Sequence, residues 1–327
     1  MSSKVRRGFY FFVLLALLTP AARGRAEKLR ISNASISGNT AIITYVTERA
    51  GLFKKYGLDT ELILITGGPA AVSALINNDV DLDLRAPIAA LQAMAHGLKL
   101  TFLLSQSNTL DYDVVTRPEI RDVRQLKGKR VGVIRFGGIS ELMVRYLFQR
   151  LGLDPDKDIQ IVQTGQARLV AMEKGAFEST VLSSVESYYA RRMGFRVLDM
   201  PELPFFGSTI TGTPGWLAKK PDTALRFMKA YLEGARFFLR EKARSIEFLS
   251  AFLRLKDPEV LEVTYKTHPQ HQLGLRPYPD LAAARATIDI MGARDPLVRK
   301  LKAEEIFSLQ ALTELDKSGF INQLQTH

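Results

Sequence analysis

Apolar and polar positions along this chain follow two rhythms. LRISNA and ELILIT are short and strand-like, and between them TAIITYVTERAGLFKKYG carries apolar residues at helical spacing. Gly57 stands directly after that helix, where glycine commonly ends one. A strand, a helix and a second strand in this order imply parallel pairing. Further along, RVGVI and DIQIVQ flank the helical SELMVRYLFQRLG, which Gly152 closes in the same way.

The likeness between the two stretches goes beyond element type. Gly57-Leu58-Asp59, a strand, Thr66-Gly67-Gly68, a helix and LINNDVDLDL are answered by Gly152-Leu153-Asp154, a strand, Thr164-Gly165-Gln166, a helix and MEKGAFESTVL. The same βαβαβ plan therefore occurs twice, which predicts two similar α/β lobes. After about residue 212 the pattern becomes mostly helical. In PDTALRFMKAYLEGARFFLREKARSIEFLSAFLRL, Pro221-Asp222 is a start signal, and Leu225, Met228, Leu232, Phe237, Phe238 and Ile246 form a core-facing stripe. HPQHQLGLRPYPD interrupts the helical pattern, and further helices are expected over 279–292 and 303–318.

Composition adds bounds to this picture. With 327 residues, 46% hydrophobic and 24% charged, the chain is long enough for about two domains. The first 26 residues stand apart: Lys4, Arg6 and Arg7 precede an apolar run from Phe9 to Leu18, and small residues follow as far as Gly24 and Ala26. That is a secretory signal cleaved near Ala26, with an apolar part shorter than the roughly 20 residues of a membrane span. Arg6-Arg7-Gly8-Phe9 partly resembles a twin-arginine signal, but the strongly apolar run fits the general secretory route better. Removing Lys4, Arg6, Arg7, Arg23 and Arg25 lowers the net charge from +11 to +6. The remaining basic residues alternate with acids, which describes a solvated surface and no nucleic-acid stripe. The absence of cysteine excludes thiol catalysis, cysteine-based metal sites and lipid attachment through an N-terminal cysteine. The simplest reading of an exported chain without an anchor is a soluble periplasmic protein, monomeric and without a cofactor.

Candidate chemistry centres on RFGGIS, residues 135–140, between RVGVI and a helix. The glycine spacing of a P-loop is present from Gly132 to Gly137, but Gly138-Ile139 stand where a lysine and a hydroxyl residue are required. The dinucleotide fingerprint and the serine-hydrolase elbow are missing as well. What remains is a helix start with unpartnered N–H groups, a site for a carboxylate, sulfonate, nitrate or phosphate. ISGNT at 36–40 offers the same in the first half, and the glycine pair is expected to let N–H groups and Ser140 reach a ligand held between two lobes. Ser37, Asn39 and Ser140 serve equally well as helix caps. His96, His268, His271 and His327 make no metal set, because Pro269 separates the close pair and no acid completes it. Asp79, Asp81 and Asp83 alternate along DVDLDL and are read as edge-solubilising or capping residues. Leu142 and Tyr146 are read as core.

ERAGLFKKYGLDTELILITGG, INNDVDLDL, LKGKRVGVIRFGGISE and GLDPDKDIQIVQTG together resemble the solute-binding proteins of ABC importers for nitrate, sulfonate and taurine. That superfamily also includes binders of thiamine-pyrimidine precursors, and the resemblance spans roughly residues 29 to 255. It implies an α/β, two-lobed Venus-flytrap (periplasmic binding protein type 2), each lobe a mostly parallel sheet flanked by helices. Residues 27–112 with 211–327 would form one lobe and 113–210 the other, with crossings near Tyr112-Asp113 and Thr209–Gly212. By position in the motifs, the implied ligand contacts are Ser37, Gly38, Asn39 and Thr40; Gly67 and Gly68; Arg85 and Ala86; Phe136, Gly137, Gly138 and Ser140; Thr164 and Gly165; and Ser183 and Ser184. FESTVLSSVES departs from the family's common form, so Glu186 either faces solvent or selects a ligand that bears a donor. Arg85, between a strand end and a helix start, either holds an anion through two hydrogen bonds or pairs with Asp83.

The implied function is capture of a small anionic organic solute, sulfonate-, nitrate- or taurine-like or aromatic- or pyrimidine-like, and its delivery to an inner-membrane ABC permease with a cytoplasmic ATPase. No reaction is expected. Two alternatives stay open: a sensor whose closed form is read by a membrane receptor, and a pyrimidine-synthase-like enzyme on the same fold, which the missing cysteine-rich motif disfavours.

Overall fold

Strand β1 (Glu27–Asn33) pairs in parallel with β2 (Leu58–Leu64) on one side and with β3 (Leu82–Arg85) on the other. The computed structural model describes residues 26–34, 39–110, 112–165, 167–198, 203–272 and 275–326; the expected signal segment up to Arg25, together with Ser37 and Gly38, lies outside them. The helix expected between β1 and β2 is two pieces, α1 (Asn39–Arg49) and α2 (Leu52–Lys55), because Gly51 adopts a left-handed backbone at their junction. Helix α3 (Gly68–Ile76) links β2 to β3, and α4 (Ile88–Ala95) links β3 to β4 (Thr101–Thr109).

The second set repeats the plan. After β5 (Asp113–Thr116), strand β6 (Arg130–Val133) pairs in parallel with β7 (Gln160–Gln163) and β8 (Ser179–Leu182). Helices α5 (Ile139–Arg150) and α6 (Arg168–Glu173) form the crossovers, and α7 (Ser184–Arg192) leads to β9 (Arg196–Leu198). Strand β10 (Pro204–Gly212) then returns to the first sheet.

The two five-stranded sheets run β2-β1-β3-β10-β4 and β7-β6-β8-β5-β9. Each has one opposed strand in the fourth place, β10 in the first and β5 in the second. These are the strands that follow each passage between sheets, so the repeat seen in the sequence is a repeat of topology. One boundary differs from expectation. The whole of β10 is hydrogen-bonded into the first sheet, so the chain has returned by Pro204, ahead of Thr209–Gly212.

The C-terminal region comprises α8 (Pro214–Lys219), α9 (Pro221–Arg240), α10 (Lys242–Leu253), α11 (Pro258–Gln272), α12 (Leu281–Gly292), α13 (Gln310–Lys317) and α14 (Phe320–Thr326). Along α9, Phe227, Met228, Tyr231, Leu232 and Phe238 are fully buried against Leu29, Ile31 and Ile43, while Leu225 and Phe237 pack at the edge of that cluster. Two helix boundaries depart from the pattern. Helix α11 runs into the proline-rich interruption as far as Gln272; Pro269 removes one N–H near the helix end, so the loss is confined to the last turn. The helix expected over 303–318 begins only at Gln310. Residues 306–308 instead extend along β4, with the Phe102 N–H donating to Ile306 O (3.0 Å) and the Ser308 N–H to Phe102 O (2.9 Å). Pairing at a sheet edge overrides the local helical spacing there.

Among the described residues no helix is long and apolar enough to cross a membrane.

Candidate functional site

The carboxyl end of β3 carries the first polar cluster of the site. Asp83 and Arg85 are two apart on one strand and so share a face. Both are buried, at 2% and 6% exposure. The Arg85 guanidinium donates twice to Asp83, once at 2.8 Å, and also to Gly67 O and Ile65 O at 3.2 Å. Asp83 additionally accepts from Ser32 Oγ at 2.6 Å. Asp81, also buried, accepts from the Arg30 N–H (2.8 Å) and from Trp216 Nε1 (3.0 Å). The expected solubilising or capping role is therefore corrected for Asp81 and Asp83, which are interior acceptors that tie strands together; Asp79 is exposed.

The RFGGIS loop is built by hydrogen bonds that consume its own N–H groups. Ile134 donates to Ser140 Oγ (2.9 Å), Phe136 to Gln163 Oε1 (3.0 Å), Gly137 to Glu141 Oε2 (2.6 Å) and Gly138 to Arg135 O (3.4 Å). Gly137 has φ 71°, a conformation that a side chain would strain, and this is what aims its N–H at Glu141. The Gly137 and Gly138 N–H groups are thus taken within the loop, whereas those of Ile139, Ser140 and Glu141 in the first turn of α5 have no partner among the described residues, so the helix start keeps the open donors expected of it. Ser140 is buried, and its oxygen braces the end of β6 without capping α5.

The group left over is Arg135. Its side chain is exposed and has no hydrogen-bond or ion-pair partner among the described residues. It crosses toward the first sheet, since a Cβ built on Gly67 would lie 3.9 Å from its Nη1. The cleft it enters has a volume of about 610 Å³. Its walls come from both sheets: Thr66, Gly67, Arg85 and Ala86 on one side, and Ile134, Arg135, Gly138, Ile139 and Ser140 on the other. Ser107, Thr109, Leu110 and Tyr112 contribute from the first passage between sheets, and Phe205, Gly207 and Ser208 from the second. Ser208 has φ 45°, a left-handed backbone unusual for serine, and the register of β10 against β4 slips beside it.

The far wall holds a second charged pair. Arg168, 3% exposed, donates to Glu186 Oε1 (3.0 Å) and Oε2 (3.3 Å) and to Val181 O. Glu186 also accepts from the N–H (3.1 Å) and hydroxyl (3.0 Å) of Ser183, which starts α7. Glu186 is thus neither simply solvated nor open to a ligand; its carboxylate is tied on three sides. Three arginines and one glutamate line the cleft, and of these four only Arg135 is uncommitted.

The remaining expected residues fall elsewhere. Phe136 projects to solvent at 55% exposure, and neither it nor Gly137 lines the cleft. Gly68 is buried where a Cβ would meet Ala89 Cβ at 2.4 Å, so it serves close packing of α3 on α4. Thr164 donates its N–H (2.8 Å) and hydroxyl (3.1 Å) to Val133 O, and the Gly165 N–H goes to Ile134 O (3.1 Å); both support the loop from behind. Asn39 and Thr40 open α1 and Ser184 opens α7. Sequence reasoning missed Arg135, Arg168, Tyr112, Tyr189, Phe205 and Ser208. For Arg135 the signal was present, because it lies in the short turn between a strand and a helix, as Arg85 lies at the end of one. Among the described residues no group of three or more histidines and acids is placed to hold a metal.

Two α/β sheets of matching topology with a polar cleft between them define the class: a two-lobed α/β fold with a cleft between the lobes. Residues 39–244, more than half of the chain, match the model of the NMT1/THI5-like family, and the chain belongs to that family. The protein named "Putative binding protein YtlA" of Bacillus subtilis (strain 168) is 24% identical over 292 residues, which cover 82% of this chain and 84% of YtlA. Among solved structures, the periplasmic aliphatic sulphonate binding protein SsuA of Escherichia coli superposes with TM-score 0.68 at 19% identity, covering 87% of this chain and 91% of SsuA. The periplasmic nitrate-binding protein NrtA of Synechocystis PCC 6803 gives 0.66 at 12% identity, covering 90% and 89%. The fold is that of the periplasmic binding proteins.

Proposed function

We propose that this protein is an extracytoplasmic solute-binding protein that captures a small organic anion between its lobes and delivers it to an inner-membrane ABC permease. The observation that carries the reading is Arg135, a guanidinium with no partner among the described residues at a cleft whose other described charged groups, Arg85, Arg168 and Glu186, are already paired. Arginine offers a planar fork that matches carboxylate and sulfonate oxygens. Tyr112, Tyr189, Phe205, Leu110 and Leu255 supply apolar surface along the same cleft, which suits an anion with an organic body. Gly138, Ser140, Ser183, Arg85 and Ala86 are proposed as its walls. Export through the N-terminal segment and a monomeric working state belong to the same proposal.

The test is calorimetry and thermal shift with nitrate, taurine, alkanesulfonates, aromatic carboxylates and pyrimidines, on the native chain and on Arg135→Gln. At least one organic anion is expected to stabilise the native chain, with affinity about 10- to 100-fold weaker in the variant, as loss of a charged hydrogen-bond pair implies. No shift with any member of the panel, or equal binding by the variant, overturns the proposal.

A further inference from the structure

Glu141 is the acidic residue that follows Ser140 in the cleft loop, and the structure gives its carboxylate three donors. They are the Gly137 N–H (2.6 Å) from the loop, Arg145 Nε (2.8 Å) from its own helix and Arg294 Nη1 (2.5 Å) from beyond α12. Helix α12 belongs to the other lobe, where Thr287 Oγ1 accepts from the Phe206 N–H of β10 at 2.8 Å. A single buried carboxylate therefore touches the loop that carries Arg135 and the opposing lobe at the same time. A second bridge stands at the end of α7, where Arg192 meets Asp257 at 3.0 Å and Glu259 at 3.3 Å. Both bridges adjoin the cleft: Ser140 precedes Glu141, Tyr189 is one helical turn from Arg192, and Leu255 lies two residues before Asp257.

We propose that Glu141 is a positioning residue that couples the RFGGIS loop to lobe closure through Arg294, so that closing the lobes fixes the loop bearing Arg135. Removing Arg294 leaves Glu141 with two donors inside its own lobe, so the fold of that lobe keeps its support while the link across the cleft is cut. The Arg294 side chain is 57% exposed, which makes its substitution tolerable and its bridge sensitive to salt. This coupling rests on the solute-binding reading for its purpose, and the experiment is read without any solute, so failure of the coupling and failure of that reading are separate results.

The chain has no cysteine, so Lys54→Cys in α2 and Gln149→Cys in α5, both exposed, give a unique pair of spin labels. Electron–electron double resonance in low salt is expected to show a predominantly short interlobe distance in the native chain. Arg294→Gln is expected to shift the ratio of long to short distances about 1.5- to fivefold, the range for a part-exposed ion pair, with Arg192→Gln adding to it. Hydrogen exchange at the Gly137 amide is expected to quicken by a similar factor in Arg294→Gln. Lys300→Gln, which removes an exposed charge six residues along the chain from Arg294 that makes no ion pair among the described residues, is expected to change neither. Unchanged distances in Arg294→Gln overturn the proposal, as does an equal shift in Lys300→Gln. A shifted distance with unaltered Gly137 exchange also overturns it, because the bridge would then clamp the lobes without touching the loop.

Discussion

Replacing Arg85 with methionine separates a structural arginine from a ligand-binding one. In the native chain Arg85 is 6% exposed and its guanidinium reaches Asp83 and two backbone carbonyls. Without it, Asp83 remains 2% exposed with the Ser32 hydroxyl beside it and no cation. Removing one partner of a buried ion pair leaves an uncompensated charge and costs about 3–5 kcal/mol, whereas replacing both with apolar groups is often neutral. Arg85→Met is therefore expected to lower the unfolding free energy by about 3–5 kcal/mol, and Asp83→Leu combined with Arg85→Met to recover most of that. The assay is urea unfolding without solute, followed through the single tryptophan, Trp216, which is buried beside Asp81. Arg135→Gln serves as the comparison and is expected to change stability by less than about 0.5 kcal/mol, as a surface substitution does. If Arg85→Met unfolds at the urea concentration of the native chain, Arg85 is spare in the free protein and the assignment of the two arginines is reversed.

Two further predictions concern β6 and its loop. Gly132→Ala places a Cβ 2.6 Å from the ring of the fully buried Phe177, so it is expected to destabilise by about 1–3 kcal/mol, and Phe177→Leu in the same chain to relieve part of that; a single variant as stable as the native chain would refute the packing argument. For Glu141, burial alone would raise the pKa, but the Gly137 N–H, Arg145 and Arg294 outweigh it and hold the carboxyl below its ordinary value. A depressed folded pKa contributes stability above the unfolded value of about 4.3 and loses it as pH falls toward the folded one. The gap in unfolding free energy between the native chain and Glu141→Gln is thus expected to hold constant above about pH 5 and to close on acidification below about pH 4. A gap that widens with acid would show that burial dominates.

The duplicated architecture was legible because each βαβαβ half advertises itself locally, through apolar spacing and through Gly57 and Gly152 at helix ends. What could not be read locally depended on distant partners. Phe102 pairs with Phe307 across the edge of β4, and that contact cancels a helix which spacing alone supports. The RFGGIS glycines marked the turn between β6 and α5, but which of its N–H groups stay open depended on Gln163 and Glu141, which take those of Phe136 and Gly137 and leave the first turn of α5 unpartnered among the described residues.

The two arginines show where a finer rule lay within reach. Arg85 ends β3 and Arg135 follows β6 by two residues, each ahead of a helix, so sequence position alone ranks them almost equally. Residues two apart on a strand share a face, so the residue at that distance decides whether the guanidinium is claimed before a ligand arrives. For Arg85 that residue is Asp83, and the pair closes on itself beneath the cleft. Arg135 instead stands two residues beyond β6, in the bend after the fully buried and apolar Val133, and its guanidinium goes on to the opposing lobe with no partner among the described residues. An arginine just past a strand is thus a better candidate for an anion when the last residues of that strand are apolar, as Val131 and Val133 are, because the strand then places no carboxylate beside it.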